Sequence, residues 1–280
     1  MTSPTLPRSE TAGIACHMRG EGEPLVLLHG VGMRIEAWGP QLDALSRTHR
    51  VIALDLPGHG GSAALPEGSD LPAFVAWLGR ALDALGLARV NLAGHSMGAL
   101  IAGGTVAEFG DRILRVALLN GVRCRTEAAR AAVLSRVREI AEGAVPDVEG
   151  PLLRWFGDAP EAVGYRDLAR DWLAQMDRRS YLTAYRAFAT GDRTYADCWP
   201  DCRCPALFIT GAGDPNSTPA MSLDMAALAP AGKAVIVEGH RHVVNLTAPA
   251  AVNAHLSAWL AQPVAGEEGP MENARTGSGR

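Results

Sequence analysis

The segment Gly94-His95-Ser96-Met97-Gly98 has residue types and spacing that could support chemistry. It directly follows the apolar run VNLA and precedes a stretch with helical spacing. A sharp strand-to-helix turn presents a serine hydroxyl, but its outer positions must be small because side chains there would collide with neighbouring backbone. Glycine meets this need at both ends, so the segment predicts that Ser96 is a nucleophile.

Ser96 needs partners, because a serine hydroxyl is a poor nucleophile unless an imidazole takes its proton and a carboxylate orients that imidazole. The carboxylate candidate is Asp214, which follows the apolar run LFIT. The alternative is that Asp214 only begins a turn before Pro215. Two histidines, His240 and His242, follow the next apolar run, AVIV, and only one of them can be the base.

Acyl chemistry also needs donors for the oxyanion of a tetrahedral intermediate, and fixed backbone amides can supply them. We expect one amide from Met97, at a helix N-terminus, and the other from Val31 in the loop HGVG after the run LVLL. The glycines of this loop allow close approach to a ligand. We expect His29, Gly30 and His95 to lie at the substrate site, and we interpret His29 as supporting the loop rather than as catalytic.

These candidates require a scaffold that brings them to one edge of a sheet. Short apolar runs predict strands over 14–18, 25–29, 51–54, 90–93, 113–119, 206–210 and 234–237. Amphipathic stretches predict helices over 37–45, 71–85, 97–109, 221–228 and 250–260. Strands that alternate with helices are typical of a parallel sheet with helices on both faces, so we predict a doubly wound α/β fold.

The strand pattern stops over 123–197, where apolar residues take helical spacing instead. We predict that this stretch is an inserted helical lid and that residues 1–122 and 198–262 form the core. The segment 263–280 has little to bury and several chain breakers, so we expect a disordered tail.

The predicted lid contributes both apolar and charged candidates to a pocket. Tyr181, Tyr185 and Phe188 share one helix face and should wall the pocket over the carboxyl edge of the sheet. Arg123 and Arg125 could bind a substrate carboxylate, because guanidinium groups pair with carboxylates through two hydrogen bonds. The alternative is that both are solvated charges on the lid surface.

Composition excludes several classes of partner. A formal net charge of -4 without long runs of one sign gives no basis for binding nucleic acid or an anionic membrane. We find neither an export signal nor an apolar run that could span a bilayer, so we expect a cytoplasmic protein. The five cysteines should be free thiols; Cys198, Cys202 and Cys204 match no common zinc spacing, and their role stays open.

The segment DLPGHGGS, over 55–62, raises the question of a cofactor. Its glycine spacing could suggest a dinucleotide site, but no G-x-G-x-x-G follows the first strand and no acidic ribose ligand lies at the expected distance. We therefore expect no nicotinamide cofactor, and the proposed chemistry requires no metal.

Together, HGVGM, DLPGHGGS, GHSMG, GAGD and the C-terminal histidine segment resemble the α/β-hydrolase superfamily over 14–260. The resemblance implies a mostly parallel eight-stranded sheet and the chain order serine, acid, histidine. It favours His242 as base, because the spacing from His242 to Pro249 is similar to that in other members. Thr247 stands where the family often has glutamate, and Asn120, after an earlier strand, cannot replace the acid.

Length and lid size are most similar to 3-oxoadipate enol-lactonases and small carboxylesterases. This similarity implies hydrolysis of an ester or lactone of a small organic acid, in catabolism of aromatic or heterocyclic compounds. The oligomeric state stays open, with a homodimer as a candidate. Alternatives are a C–C bond hydrolase of ring-cleavage products, a cofactor-free haloperoxidase and a non-catalytic small-molecule receptor of the same fold.

Overall fold

Eight strands in the described part of the chain form one sheet, which positions the candidate site. A computed structural model of the protein describes residues 5–143, 147–157 and 162–264. The strands are β1 (Ser9–Thr11), β2 (Ile14–Arg19), β3 (Pro24–Leu28), β4 (Arg50–Leu54), β5 (Val90–His95), β6 (Ile113–Leu119), β7 (Ala206–Gly211) and β8 (Gly232–Val237). Their order in the sheet is β1-β2-β4-β3-β5-β6-β7-β8.

The sheet is mostly parallel, as predicted. β2 pairs antiparallel with β1 and β4, and every other neighbouring pair is parallel. Parallel strands end at one edge of a sheet, so the loops after β3, β5, β7 and β8 meet there. The pattern did not predict β1, because its three residues, SET, are exposed and carry no apolar signal.

Helices cover both faces of this sheet and continue into the insertion between β6 and β7. They are α1 (Gly39–Leu45), α2 (Leu71–Ala84), α3 (Met97–Phe109), α4 (Glu127–Ala141), α5 (Glu149–Phe156), α6 (Val163–Ala174), α7 (Arg178–Thr190), α8 (Pro219–Leu228), α9 (Val244–Thr247) and α10 (Pro249–Leu260). Short 3-10 segments lie at Ile35–Trp38, Gly110–Arg112, Gly191–Arg193 and Trp199–Asp201.

The core lies on both faces of the sheet, which explains the continuous apolar runs of the sequence. Successive residues of β3 point to opposite faces, and all four from Leu25 to Leu28 are fully buried. Leu25 and Leu27 pack with residues of α1 and α10. Val26 and Leu28 pack with residues of α2 and α3. Strands buried on both sides are characteristic of doubly wound sheets, so the predicted fold class is confirmed.

Four helices, α4 to α7, occupy the chain between β6 and β7, within the stretch predicted as a lid. Leu152, Phe156 and Trp172, from α5 and α6, share an apolar cluster with Met33 and Val243. Met33 follows β3 and Val243 follows β8, so these helices lie over the carboxyl edge of the sheet. The division of the chain into a core and a separate lid unit stays a prediction.

Two further predictions concern the tail and the membrane. Of the tail predicted over 263–280, only residues 263 and 264 fall in the described part, and Val264 is buried. The packed part of the chain therefore extends to Val264. Among the described helices, none combines the length and the apolar character that crossing a bilayer requires.

Removing the ring of Phe208 in β7 tests how much packing against the sheet stabilises the fold. This ring is fully buried and meets the ring of Trp199 edge-on, with the centroids 4.8 Å apart. We expect Phe208→Ala to lower the free energy of unfolding by about 3–5 kcal/mol, because it removes apolar contacts and leaves a cavity. Urea denaturation measures the change. Leu223→Ala, at an exposed side chain of α8, is the control and should change it by less than about 0.5 kcal/mol; equal losses would contradict this account.

Candidate active site

Ser96 lies between β5 and α3 in a backbone conformation that few residues other than glycine adopt, with φ 54° and ψ −108°. A Cβ at Gly94 would lie 2.1 Å from the carbonyl oxygen of Gly98, and one at Gly98 would lie 2.2 Å from that of Leu28. Both positions therefore require glycine, as the sequence indicated. The close approach holds the serine in a sharp turn at the carboxyl edge of the sheet.

Ser96, His242 and Asp214 form one hydrogen-bonded chain. Ser96 Oγ lies 3.0 Å from His242 Nε2, and His242 Nδ1 lies 2.7 Å from Asp214 Oδ2. The three residues follow β5, β8 and β7, whose ends the sheet brings together, and all three are buried. In this arrangement the imidazole can take the serine proton while the carboxylate stabilises the imidazolium.

The Asp214 carboxylate is fixed by several donors besides His242. Asn120 Nδ2 donates to Oδ2 at 2.8 Å, and the backbone amides of Asn216 and Ser217 donate to Oδ1 at 2.8 and 3.1 Å. Burial alone would raise the pKa of Asp214, but His242 and these hydrogen bonds outweigh it and hold the pKa below its ordinary value. The carboxylate is therefore ionised at neutral pH, as its proposed role requires.

The second histidine of this loop, His240, lies outside the hydrogen-bonded chain. Its Nδ1 is 3.0 Å from Thr247 Oγ1, and it is not among the residues that line the cavity beside Ser96. Thr247, where the family often carries glutamate, thus contacts His240 rather than His242. The structure places His242, the histidine that the resemblance favoured, against the serine.

The predicted oxyanion amides belong to Val31, in the loop after β3, and to Met97, which directly follows Ser96. Val31 lines the cavity together with Ser96, and Met97 is the first residue of α3. Gly30 packs against the serine turn, where a Cβ would come within 3.1 Å of Ser96 Cβ. The absence of a side chain at Gly30 therefore allows the loop after β3 to approach the nucleophile, while the roles of the two amides stay predictions.

His29, which we expected at the substrate site, does not line the cavity beside Ser96, and this expectation is corrected. His29 is fully buried; its Nε2 accepts from the Leu56 amide at 2.9 Å and its Nδ1 donates to the Gly30 carbonyl at 2.8 Å. Burial, with a smaller effect of His59, lowers the pKa of His29 to about 3, so the ring is neutral. Both ring nitrogens form hydrogen bonds with backbone groups. This geometry agrees with the interpretation of His29 as a residue that supports the loop.

His95 also supports the site without lining the cavity, so its assignment as a substrate-binding residue is corrected. Its Nε2 donates to the carbonyl oxygen of His242 at 2.7 Å. Burial, with a smaller effect of His242, lowers the pKa of His95 to about 3. A neutral His95, the residue directly before the nucleophile, therefore fixes the backbone of the proposed base.

A cavity of about 500 Å³ opens beside Ser96 and His242 and is walled by the inserted helices. Its aromatic lining consists of Trp155 and of the three residues predicted to wall the pocket, Tyr181, Tyr185 and Phe188. Its charged lining is mainly cationic: Arg125, Arg136 and Arg154 with Glu139 and Asp147. The cavity therefore suits a small molecule that has both an apolar part and negative charge.

The two arginines proposed for substrate carboxylates are placed differently. Arg125 lines the cavity. Arg123 does not; its Nε donates to the carbonyl oxygen of Ala196 at 2.9 Å, and its Nη2 lies 3.7 Å from exposed Asp197. The expectation for Arg123 is corrected, because its guanidinium contacts residues at the C-terminal end of the insertion instead of the cavity.

Sequence reasoning missed Trp155, which contacts the proposed base directly. Its ring stacks on His242 with centroids 6.3 Å apart, and its carbonyl oxygen accepts from the His242 amide at 3.1 Å. No pattern indicated this role, because Trp155 lies far from the triad in sequence and only the packing of α5 brings it there. The aromatic pair WF at 155–156 was the available signal.

Within the described residues, no group of three or more His, Cys, Asp or Glu side chains has the geometry to hold a metal ion. Cys202 Sγ and Cys204 Sγ are 3.7 Å apart as free thiols. Neither cysteine lines the cavity that contains Ser96.

The sequence from β3 to α10 agrees with this geometry, since residues 25–255 match the model of the alpha/beta hydrolase family. The chain belongs to the α/β-hydrolase family. This hydrolase thus has the fold and family that its motifs indicated.

Relatives of this hydrolase include an enzyme from Acinetobacter baylyi, (E)-2-((N-methylformamido)methylene)succinate hydrolase. The two are 48% identical over 260 residues, which cover 93% of this chain and 98% of the relative. Among solved structures, the enol-lactonase from Burkholderia xenovorans LB400 has a TM-score of 0.81 at 26% identity and covers 91% of this chain and 100% of its own. A Thermogutta terrifontis esterase shares the fold, with a TM-score of 0.81 at 24% identity over 91% of this chain and 98% of its own.

Replacing each histidine of the loop after β8 separates the two candidates for the base. We expect His242→Gln to slow covalent labelling of Ser96 by a fluorophosphonate about 10²- to 10⁴-fold, because the serine loses its proton acceptor. His240→Gln is the matched control and should label at nearly the rate of the unmodified protein. Mass spectrometry of the intact protein measures both rates, and equal slowing in the two variants would refute the assignment.

Proposed function

We propose that this hydrolase cleaves the N-acyl bond of a small unsaturated dicarboxylic acid through an acyl-enzyme on Ser96. The observation that carries the proposal is the chain of contacts from Ser96 Oγ to His242 at 3.0 Å and from His242 to Asp214 at 2.7 Å. Ser96 and His242 line a cavity that is large enough for a molecule of this size.

In the proposed mechanism, Ser96 Oγ attacks the acyl carbon while His242 Nε2 takes the hydroxyl proton. The amides of Val31 and Met97 donate to the oxyanion of the tetrahedral intermediate. His242 then returns the proton to the departing nitrogen, and the acyl group stays on Ser96. A water molecule attacks this ester, with His242 again taking a proton, and the acid is released as Ser96 recovers its proton.

The substrate class is supported by the relative and by the lining of the cavity. The substrate named for the Acinetobacter baylyi enzyme is a succinate, with two carboxylates, that carries an N-methylformamido group on an unsaturated carbon. At 48% identity over 93% of this chain, a related substrate is the simplest proposal. The excess of arginines over acidic residues in the lining fits a negatively charged substrate, and the aromatic residues fit its planar unsaturated part.

Hydrolysis of an ester or lactone is the second candidate. The similarity to the Burkholderia enol-lactonase favours it, and the same acyl-enzyme steps would open a lactone to a single acid. The two candidates differ in the departing atom, which is nitrogen in one and oxygen in the other. They share the requirement for Ser96, and a substrate panel distinguishes them.

Turnover of matched substrates tests the proposal. We expect the protein to release formate from (E)-2-((N-methylformamido)methylene)succinate, and we expect Ser96→Ala to reduce the rate about 10⁶-fold because no nucleophile remains. Ser257→Ala, at an exposed serine of α10, is the control. Proton NMR follows formate, and the panel adds an enol-lactone acid and a short aryl ester.

Three outcomes would change the proposal. Faster turnover of the lactone or the ester would favour the second candidate. Turnover that survives in Ser96→Ala would refute the acyl-enzyme. If no acyl substrate is cleaved but a ring-cleavage product is split at a C–C bond, the same triad would serve the alternative reaction.

A further inference from the structure

Arg125 is a buried cation at the wall of the reaction cavity. Its side chain is 3% exposed, and its guanidinium carbon lies 4.4 Å from the centre of the Phe188 ring. Nη1 donates to the carbonyl oxygen of Phe188 at 3.2 Å, and the Arg125 backbone amide donates to Asp192 Oδ2 at 2.8 Å. The residue is therefore held at both its backbone and one edge of its guanidinium.

The charge of Arg125 is only partly compensated. Asp192 is fully buried at its side chain, and its Oδ1 lies 2.6 Å from Arg130 Nη1 but 3.5 Å from Arg125 Nη1. One carboxylate thus faces two guanidinium groups. Burial lowers the pKa of Arg125 more than Asp192 raises it. The two guanidinium groups share one negative charge, and a bound anion would supply a second.

The free edge of the guanidinium has a donor to offer. Arg125 Nη2 is buried, and among the described residues it has no hydrogen-bond partner. Leaving a charged donor unpaired in a buried position is costly, so such a group is expected to have a partner in the functional state. Because Arg125 lines the cavity that contains Ser96, a small molecule bound there is within reach of the same residue.

We infer that Arg125 binds a carboxylate of the substrate and that Asp192 is its positioning residue, an inference that rests on the proposed function and deepens it. The other cavity arginines are already paired or exposed. Arg136 contacts Glu139 and the carbonyl oxygen of Asp147, and Arg154 is exposed. Arg125 is thus the buried arginine of the cavity lining, where exclusion of water strengthens a hydrogen bond to a carboxylate.

The inference predicts selectivity for charge rather than for the reacting bond. The N-formyl dicarboxylate and its dimethyl ester have the same scissile bond, but only the acid can pair with Arg125. We expect Arg125→Met to lower the ratio of kcat/KM for the acid to kcat/KM for the ester about 10- to 100-fold, the usual effect of losing a hydrogen bond to a charged group. The change should appear mainly as a higher KM for the acid. In this variant Asp192 keeps Arg130.

Arg193→Met is the matched control. It also removes one positive charge next to Asp192, but Arg193 pairs with exposed Glu127 and does not line the cavity. Its selectivity ratio should stay within about twofold of the unmodified protein, as for surface substitutions in general. Asp192→Asn, which leaves Arg125 present but less firmly held, should raise KM for the acid while kcat changes little.

Binding of succinate and of neutral succinamide, measured by calorimetry, separates failure of this inference from failure of the proposed function. If no N-formyl substrate is cleaved, the proposed function fails, yet weaker succinate binding in Arg125→Met than in Arg193→Met still supports the inference. An unchanged selectivity ratio, or equal succinate binding in both variants, overturns it, as does a protein that neither binds nor cleaves carboxylates. Arg125→Gln replaces Arg125→Met if circular dichroism shows that the latter does not fold.

Discussion

The rest of the site depends on one backbone constraint, the close contact between α3 and the strand ends at the serine turn. Ser96 has a positive φ, a conformation that costs of order 1–3 kcal/mol for a residue with a side chain. The residues of α3 from Met97 to Val106 are all buried, so packing along the helix offsets that cost. Because the first ten residues of α3 are packed on every face, the turn cannot relax, and the serine hydroxyl keeps a fixed position relative to the other groups.

Neutral histidines complete that fit. His29, His59 and His95 are buried, burial lowers the pKa of each, and each holds a backbone group near the turn. A second positive charge beside His242 would oppose the imidazolium that catalysis requires. Histidines that stay neutral can therefore support the loops around the site, whereas lysine or arginine in the same places would work against the base.

Local chemistry explains how much of this could be predicted. The serine turn, the acid and the parallel sheet have short-range signals: glycines that a close contact demands, and apolar runs that strands buried on both faces produce. β1 has no such signal, because its three residues are exposed and polar. The positions of Trp155, Arg123 and His95 depend on how the inserted helices and the serine turn pack, and a periodic pattern identifies a buried face without identifying what it covers.

The division of labour between core and insertion follows from where the charges lie. The proposed acyl steps need only the serine turn, the base, the acid and two backbone amides. None of these groups distinguishes a charged substrate from a neutral one. The cations of the cavity, Arg125, Arg136 and Arg154, come instead from the segment between β6 and β7. Under the proposed function, a change of arginine there would alter which acid is bound while the strained turn is untouched, so selectivity and reactivity would vary independently in this hydrolase. The buried contact between Arg125 and Asp192 also fixes the cation before substrate arrives, which reduces the entropy lost on binding.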